Sequence, residues 1–136
     1  MKHLIILLTV FASLKSYSQN NSDAIIGKWL KIPKEDLIIE VYKVKDEYKG
    51  KISGTKDNDK RKPVGFIILE KLKYNSKAKK WVNGKIHDPN SGSTYTAEAK
   101  IKSDGTLEVN GYLGLKFLGT KKNFKKVNNK SCLSLN

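Results

Sequence analysis

The chain has 136 residues, 38% of them hydrophobic, and carries a formal net charge of +14 from 27 Lys and Arg against 13 Asp and Glu. That length supports one domain around a single core of modest size and excludes a second. Cys132 is the sole cysteine, so an intramolecular disulfide is excluded as well, and the fold must rest on its core and its hydrogen-bond ladders.

The N-terminus reads as an export signal. Lys2 and His3 form a short basic region, Leu4 to Leu14 is an almost unbroken apolar run, and Ser16-Tyr17-Ser18 offers small residues for cleavage. The apolar run is about half of the roughly 20 residues that a spanning helix needs. Residues 1–18 are therefore read as a signal peptide, with the mature chain expected to begin at Gln19. A lipid anchor would need a cysteine at that position, so the expected product is periplasmic or secreted, without a transmembrane segment.

Residues 19–26 form an N-terminal segment in which Ser22 or Asp23 caps one helical turn. From Gly27 onward the pattern has a period of two, interrupted by turn residues, which predicts an antiparallel all-β domain over residues 27–127. The predicted strands are Gly27 to Ile32, Leu37 to Val44, Tyr48 to Gly54, Gly65 to Tyr74, Lys80 to His87, Ser93 to Lys102, Thr106 to Tyr112 and Lys116 to Val127. Lys56 to Pro63 has no apolar residue and is expected to be an exposed loop. Asn75 to Lys79 and Ser103-Asp104-Gly105 have hairpin-tip composition. In Asp88-Pro89-Asn90-Ser91-Gly92, Asp88 can accept hydrogen bonds from backbone N–H groups two positions on, and Gly92 can take positive φ. Residues 128–136 read as a flexible polar tail.

Short connections make sequence neighbours sheet neighbours, which gives an up-and-down meander. Eight strands is the number at which such a meander closes and loses its aggregation-prone edges. The expected fold is thus an eight-stranded antiparallel up-and-down barrel, closed or incompletely closed, with a two-sheet sandwich as the alternative.

Gly27-Lys28-Trp29 at the start of the first strand resembles the opening of lipocalin-type barrels. That resemblance implies that Trp29 plugs one barrel end beneath a basic residue from the last strand, with Lys121 or Lys122 as the candidate and Lys121 favoured. A closer resemblance rests on Pro63-Val64-Gly65-Phe66-Ile67-Ile68, on Trp81 and Gly84 leading into Asp88-Pro89-x-x-Gly92-x-x-Tyr95, and on Asp104-Gly105-x-Leu107-x-Val109-x-Gly111-Tyr112-x-Gly114. With Gly27, Trp29 and Gly119, these residues are similar to the exported bacterial family known as domain of unknown function 2147. The resemblance implies a fold and export but no reaction.

The charge suggests an anionic partner, yet Arg61 is the only arginine. Geometric reading of phosphates favours the bidentate guanidinium over the mobile ammonium of lysine, and an exported chain does not meet the chromosome, so nucleic acid is not expected as a partner. An anionic envelope surface is the partner that a lysine-rich exterior would fit. His87 is the only histidine beyond the signal peptide; Asp88, next to it in a strand, would point to the opposite face, nothing in the spacing supplies the distant serine and carboxylate of a Ser-His-Asp arrangement, and one histidine with one tail cysteine makes no zinc site. Asp57-Asn58-Asp59 resembles the start of a calcium loop, but Lys60-Arg61-Lys62 opposes a cation there. No metal or cofactor is expected. Glu98 and Glu108 could sit almost opposite each other across the Asp104-Gly105 hairpin, although the alternation points them outward beside lysines.

The expected interior comprises Trp29, Leu37, Ile39, Val41, Ile52, Phe66, Ile68, Val82, Ile86, Tyr95, Ala97, Ala99, Leu107, Val109, Leu115 and Phe117. Such a barrel is either filled by its side chains or encloses one small ligand. If it is hollow, Ala97 and Phe66 belong to the wall, and Tyr95, Tyr112, His87 and Asp88 border the entrance. The reading is a monomeric, non-enzymatic exported barrel, binding a small apolar or amphipathic molecule or else touching an anionic lipid or glycan through its exterior.

Overall fold

The computed structural model describes residues 21–56, 62–115 and 119–128. The expected signal peptide, Asp57-Asn58-Asp59, Phe117 and Cys132 lie outside the described residues. Eight strands follow in order: β1 (Gly27–Ile32), β2 (Leu37–Val44), β3 (Glu47–Thr55), β4 (Ile67–Asn75), β5 (Lys80–His87), β6 (Thr94–Ile101), β7 (Leu107–Tyr112) and β8 (Thr120–Lys126). Each pairs antiparallel with its neighbour, and β8 returns to β1, so the barrel is fully closed. Its hairpins are set by local hydrogen bonds: the Asn75 side chain accepts from the backbone N–H groups of Lys77 and Ala78, each at 3.0 Å, and Asp104 accepts from Thr106 N–H at 2.9 Å.

Along β2, β6 and β7 the alternation places the core side chains on one face. Leu37, Ile39 and Val41 of β2, Ala97 and Ala99 of β6, and Leu107 and Val109 of β7 are all buried in one core. β4 and β5 depart from this rule. Lys71 (φ 61°) and Asn83 (φ 59°) are left-handed, while the ladder on either side keeps one register, Lys73 with Val82 and Glu70 with Lys85. The two strands therefore kink together at one level, and each reverses its inward phase there. Leu69 and Leu72, three residues apart, are both buried. Trp81 is 2% exposed, whereas Val82, expected inside, is only partly buried. Leu115 is likewise not in the core: it lies 56% exposed in the β7–β8 connection.

The kink requires Gly84. A Cβ there would come within 2.7 Å of Leu72 Cγ and 3.1 Å of the Glu70 carbonyl oxygen, and Leu72 is fully buried with nowhere to retreat. Gly84→Ala is expected to lower stability by about 1–3 kcal/mol through overpacking, read as a lower urea midpoint at unchanged slope. An unchanged midpoint would mean that Leu72 has room to move.

One end of the barrel is stoppered by a single 3-10 turn, Asn21–Ile25. Trp29 Nε1 donates to the Ile25 carbonyl at 2.9 Å, Trp81 Nε1 to the Ser22 carbonyl at 3.0 Å, and the Tyr48 hydroxyl to Asp23 Oδ1 at 2.6 Å. The Tyr48 hydroxyl, followed by Lys43, holds the Asp23 carboxyl below its ordinary value. Trp81 is packed edge-on against Tyr48 and lies 5.0 Å from the Tyr74 ring. These aromatic rings fill the stoppered half.

The basic cover of Trp29 is Lys126, not Lys121. Trp29 is in register with Lys126, whose Nζ lies 4.6 Å from the indole centroid and also donates to the Ile26 carbonyl at 2.6 Å. The reason is antiparallel closure: the start of β1 meets the end of β8. Lys121 stands near the other end of β8, opposite Asn110, and reaches Glu108 on the outer wall at 3.9 Å.

Candidate ligand cavity

The half of the barrel away from the 3-10 turn is not filled. It holds a cavity of about 240 Å³ whose lining comes from the ends of β1 and β5, the starts of β2, β4, β6 and β8, and the middle of β7. Leu37, Ile39, Leu69, Val109 and Phe124 form an apolar floor above the aromatic rings of the stoppered end. The rim is polar, with the β5–β6 turn from His87 to Asn90 on one side and Thr120 on another. The volume lies just below the roughly 300–1,000 Å³ of pockets for drug-sized molecules, so a guest must be small or must protrude.

Of the six residues expected at this site, three line the cavity. Tyr95 is half-buried and in register with Ile86, and both face the space. His87 is at the rim with both ring nitrogens occupied: Nδ1 is 2.9 Å from Thr94 Oγ1 and Nε2 is 3.3 Å from Glu70 Oε1. The tautomer that satisfies both carries its hydrogen on Nε2, donates to the carboxylate, and accepts from the threonine hydroxyl. Asp88 spends its carboxylate on its own turn, accepting from Asn90 N–H at 2.8 Å and from the Ser91 hydroxyl at 3.1 Å. Those bonds, the backbone one first, hold its carboxyl below the ordinary value.

The other three do not contribute. Tyr112 is in register with the exposed Thr96 and alternates with the inward Gly111, so it belongs to the outer wall. Ala97 is fully buried against Gly84 at a deeper level, and Phe66 packs on the margin of the core. The acidic pair is offset as well. Glu98 is opposite Asn110 and Glu108 is opposite Lys100, which separates the two carboxylates diagonally on the outer wall. Lys80 neutralises Glu98 at 3.2 Å, and Lys100 and Lys121 flank Glu108 at 3.7 and 3.9 Å.

Three lysines that were not expected at this site complete the lining. Lys122 is in register with Val109 and Lys31 with Phe124, and because both partners are core residues, both lysines are on the inward side of their strands. Lys62, from the β3–β4 connection, joins them. Lys31 lies 3.5 Å from Asp36. Burial pushes its ammonium below the usual lysine value, and repulsion from Lys122 and Lys62 adds to this against the opposing pull of Asp36. Among the described residues no group of three or more His, Cys, Asp or Glu side chains is gathered as a metal would need, and no helix is long and apolar enough to cross a membrane.

The family model described as "Uncharacterized protein conserved in bacteria (DUF2147)" matches residues 27–126. Among solved structures, protein HP1028 from the human pathogen Helicobacter pylori, described as belonging to the lipocalin family, is similar with a TM-score of 0.63 and 16% identity. The likeness covers 82% of this chain and 88% of that one, and at such identity it speaks for the fold alone. No curated protein matches the sequence.

Proposed function

The chain belongs to the DUF2147 family of uncharacterized proteins conserved in bacteria, and from that premise and the geometry of its barrel we propose that it is an exported binding protein for one small amphipathic or apolar molecule. The observation that carries this reading is the cavity of about 240 Å³, apolar at its floor and polar at its rim, at the unstoppered end of a closed barrel. Lipocalin-like architecture, with one end plugged and the other receiving a guest, supports it. Export rests on Lys2, His3 and the apolar run from Leu4 to Leu14. Closure of the barrel leaves no strand edge for a second copy to extend, which favours a monomer. Binding without turnover is favoured because His87 and Asp88 are both committed to neighbouring groups and each acidic residue of the outer pair has a lysine.

A second reading is supported by the exposed apolar residues of the open end. Val64 and Leu113 are each 69% exposed and Leu115 56%, on the two connections that flank the mouth, beside lysines suited to an anionic lipid surface. Native mass spectrometry of the mature protein, purified from its own cell envelope, decides between them. The binding reading predicts a reproducible bound small molecule; ligand-free protein that adsorbs to anionic vesicles until salt releases it would favour the surface reading.

A further inference from the structure

From the two lysines that project inward over the apolar floor, we propose that the guest is a single-chain amphiphile with an anionic head, its head group held by Lys122, Lys31 and Lys62 and its tail laid against Leu37, Ile39, Val109 and Phe124. The inference rests on the binding reading above and narrows it to one chemical class. Inward positions of a small barrel are normally apolar, and a charge placed there loses hydration that only an opposite charge restores. Lys31 breaks this rule, half-buried at the level of Phe124, and Lys122 stands beside it on the adjacent strand, in register with Val109 and exposed at the mouth.

The carboxylates at the mouth do not use up this positive charge. Asp36 serves Lys31 at 3.5 Å, and Asp88 faces Lys122 with its oxygens already accepting from Asn90 and Ser91. That leaves three ammonium groups against two carboxylates around one opening. Burial first, and then the nearby charges of Lys122 and Lys62, lower the proton affinity of the Lys31 ammonium, and an added anion beside it would offset both. Lysine suits such a guest, since a mobile point charge follows a head group whose depth varies with tail length.

Isothermal titration calorimetry with decanoate, decyl phosphate and decanol tests the proposal at low salt. Both anions are expected to bind at least about ten-fold tighter than the alcohol, and Lys122→Met is expected to remove about that factor while leaving decanol unchanged. Methionine suits an inward position over an apolar floor, so the variant keeps its fold. Lys77→Met, in the β4–β5 turn, is expected to change nothing. Equal binding of decanol and the anions, unmoved by Lys122→Met, overturns the anionic head and leaves the binding reading intact. Anion binding that Lys122→Met and Lys31→Met leave unchanged but salt abolishes is adsorption to the exterior, and overturns it too. If none of the three probes binds, the binding reading itself fails and this inference falls with it.

Discussion

Trp29→Ala is expected to destabilise the barrel by about 3–5 kcal/mol, a large share of the 5–15 kcal/mol that holds a typical domain. The indole is 2% exposed where β1 and β8 close the barrel, so truncation opens a cavity at the seam. It also removes the donor to the Ile25 carbonyl and the aromatic face under Lys126. The three contributions separate by substitution. Trp29→Phe keeps most of the burial but loses the hydrogen bond, which contributes about 1 kcal/mol. Lys126→Met keeps the stem over the ring and removes the charge, worth about 0.5–2 kcal/mol; burial already pushes that ammonium below its usual value, which limits the loss. Urea unfolding at constant slope measures all three. If Trp29→Ala costs no more than Lys126→Met, the indole is not the stopper of this end.

The count and order of strands were legible because turn chemistry and alternation agree along most of the chain. Leu107 and Val109 could be placed inside from sequence because nothing interrupts the period of two around them, and Leu37, Ile39 and Val41 keep that phase although the pairing with β3 shifts at Ile38/Ile39 and Ile38 is buried as well. Trp81 could not, because a left-handed residue reverses the phase of β5. Asn83-Gly84 is a faint signal for that, since asparagine tolerates positive φ, but Lys71 on the partner strand gives none. Lys126 was within reach of reasoning: once a meander closes, the first residues of β1 must face the last of β8. The lysines of the cavity were hidden for a different reason. In a chain with this much positive charge a lysine reads as solvated surface, and only the closure of β8 against β1 and β7 puts Lys31 in register with the buried Phe124 and Lys122 with the buried Val109. Tyr112 failed in the opposite direction, as an aromatic near a turn that belongs to the outer wall.

Ile86→Trp is expected to close the cavity and weaken decanol binding by roughly fifty-fold, the effect of denying about three methylenes their burial at ~0.8 kcal/mol each. Ile86 is in register with Tyr95 near the rim, half-buried and only marginal to the core, so a larger ring there extends into the open space instead of displacing the floor. Stability should therefore hold within about 1 kcal/mol, whereas the same enlargement at Val109, 2% exposed in the core, would overpack. Should Ile86→Trp fail to fold, Tyr95→Trp fills the same space from the opposing strand. The neutral alcohol is the informative probe because it reads the floor without the lysines. Decanol binding that survives both substitutions would place the guest outside this cavity, and the barrel's interior would then be structural alone.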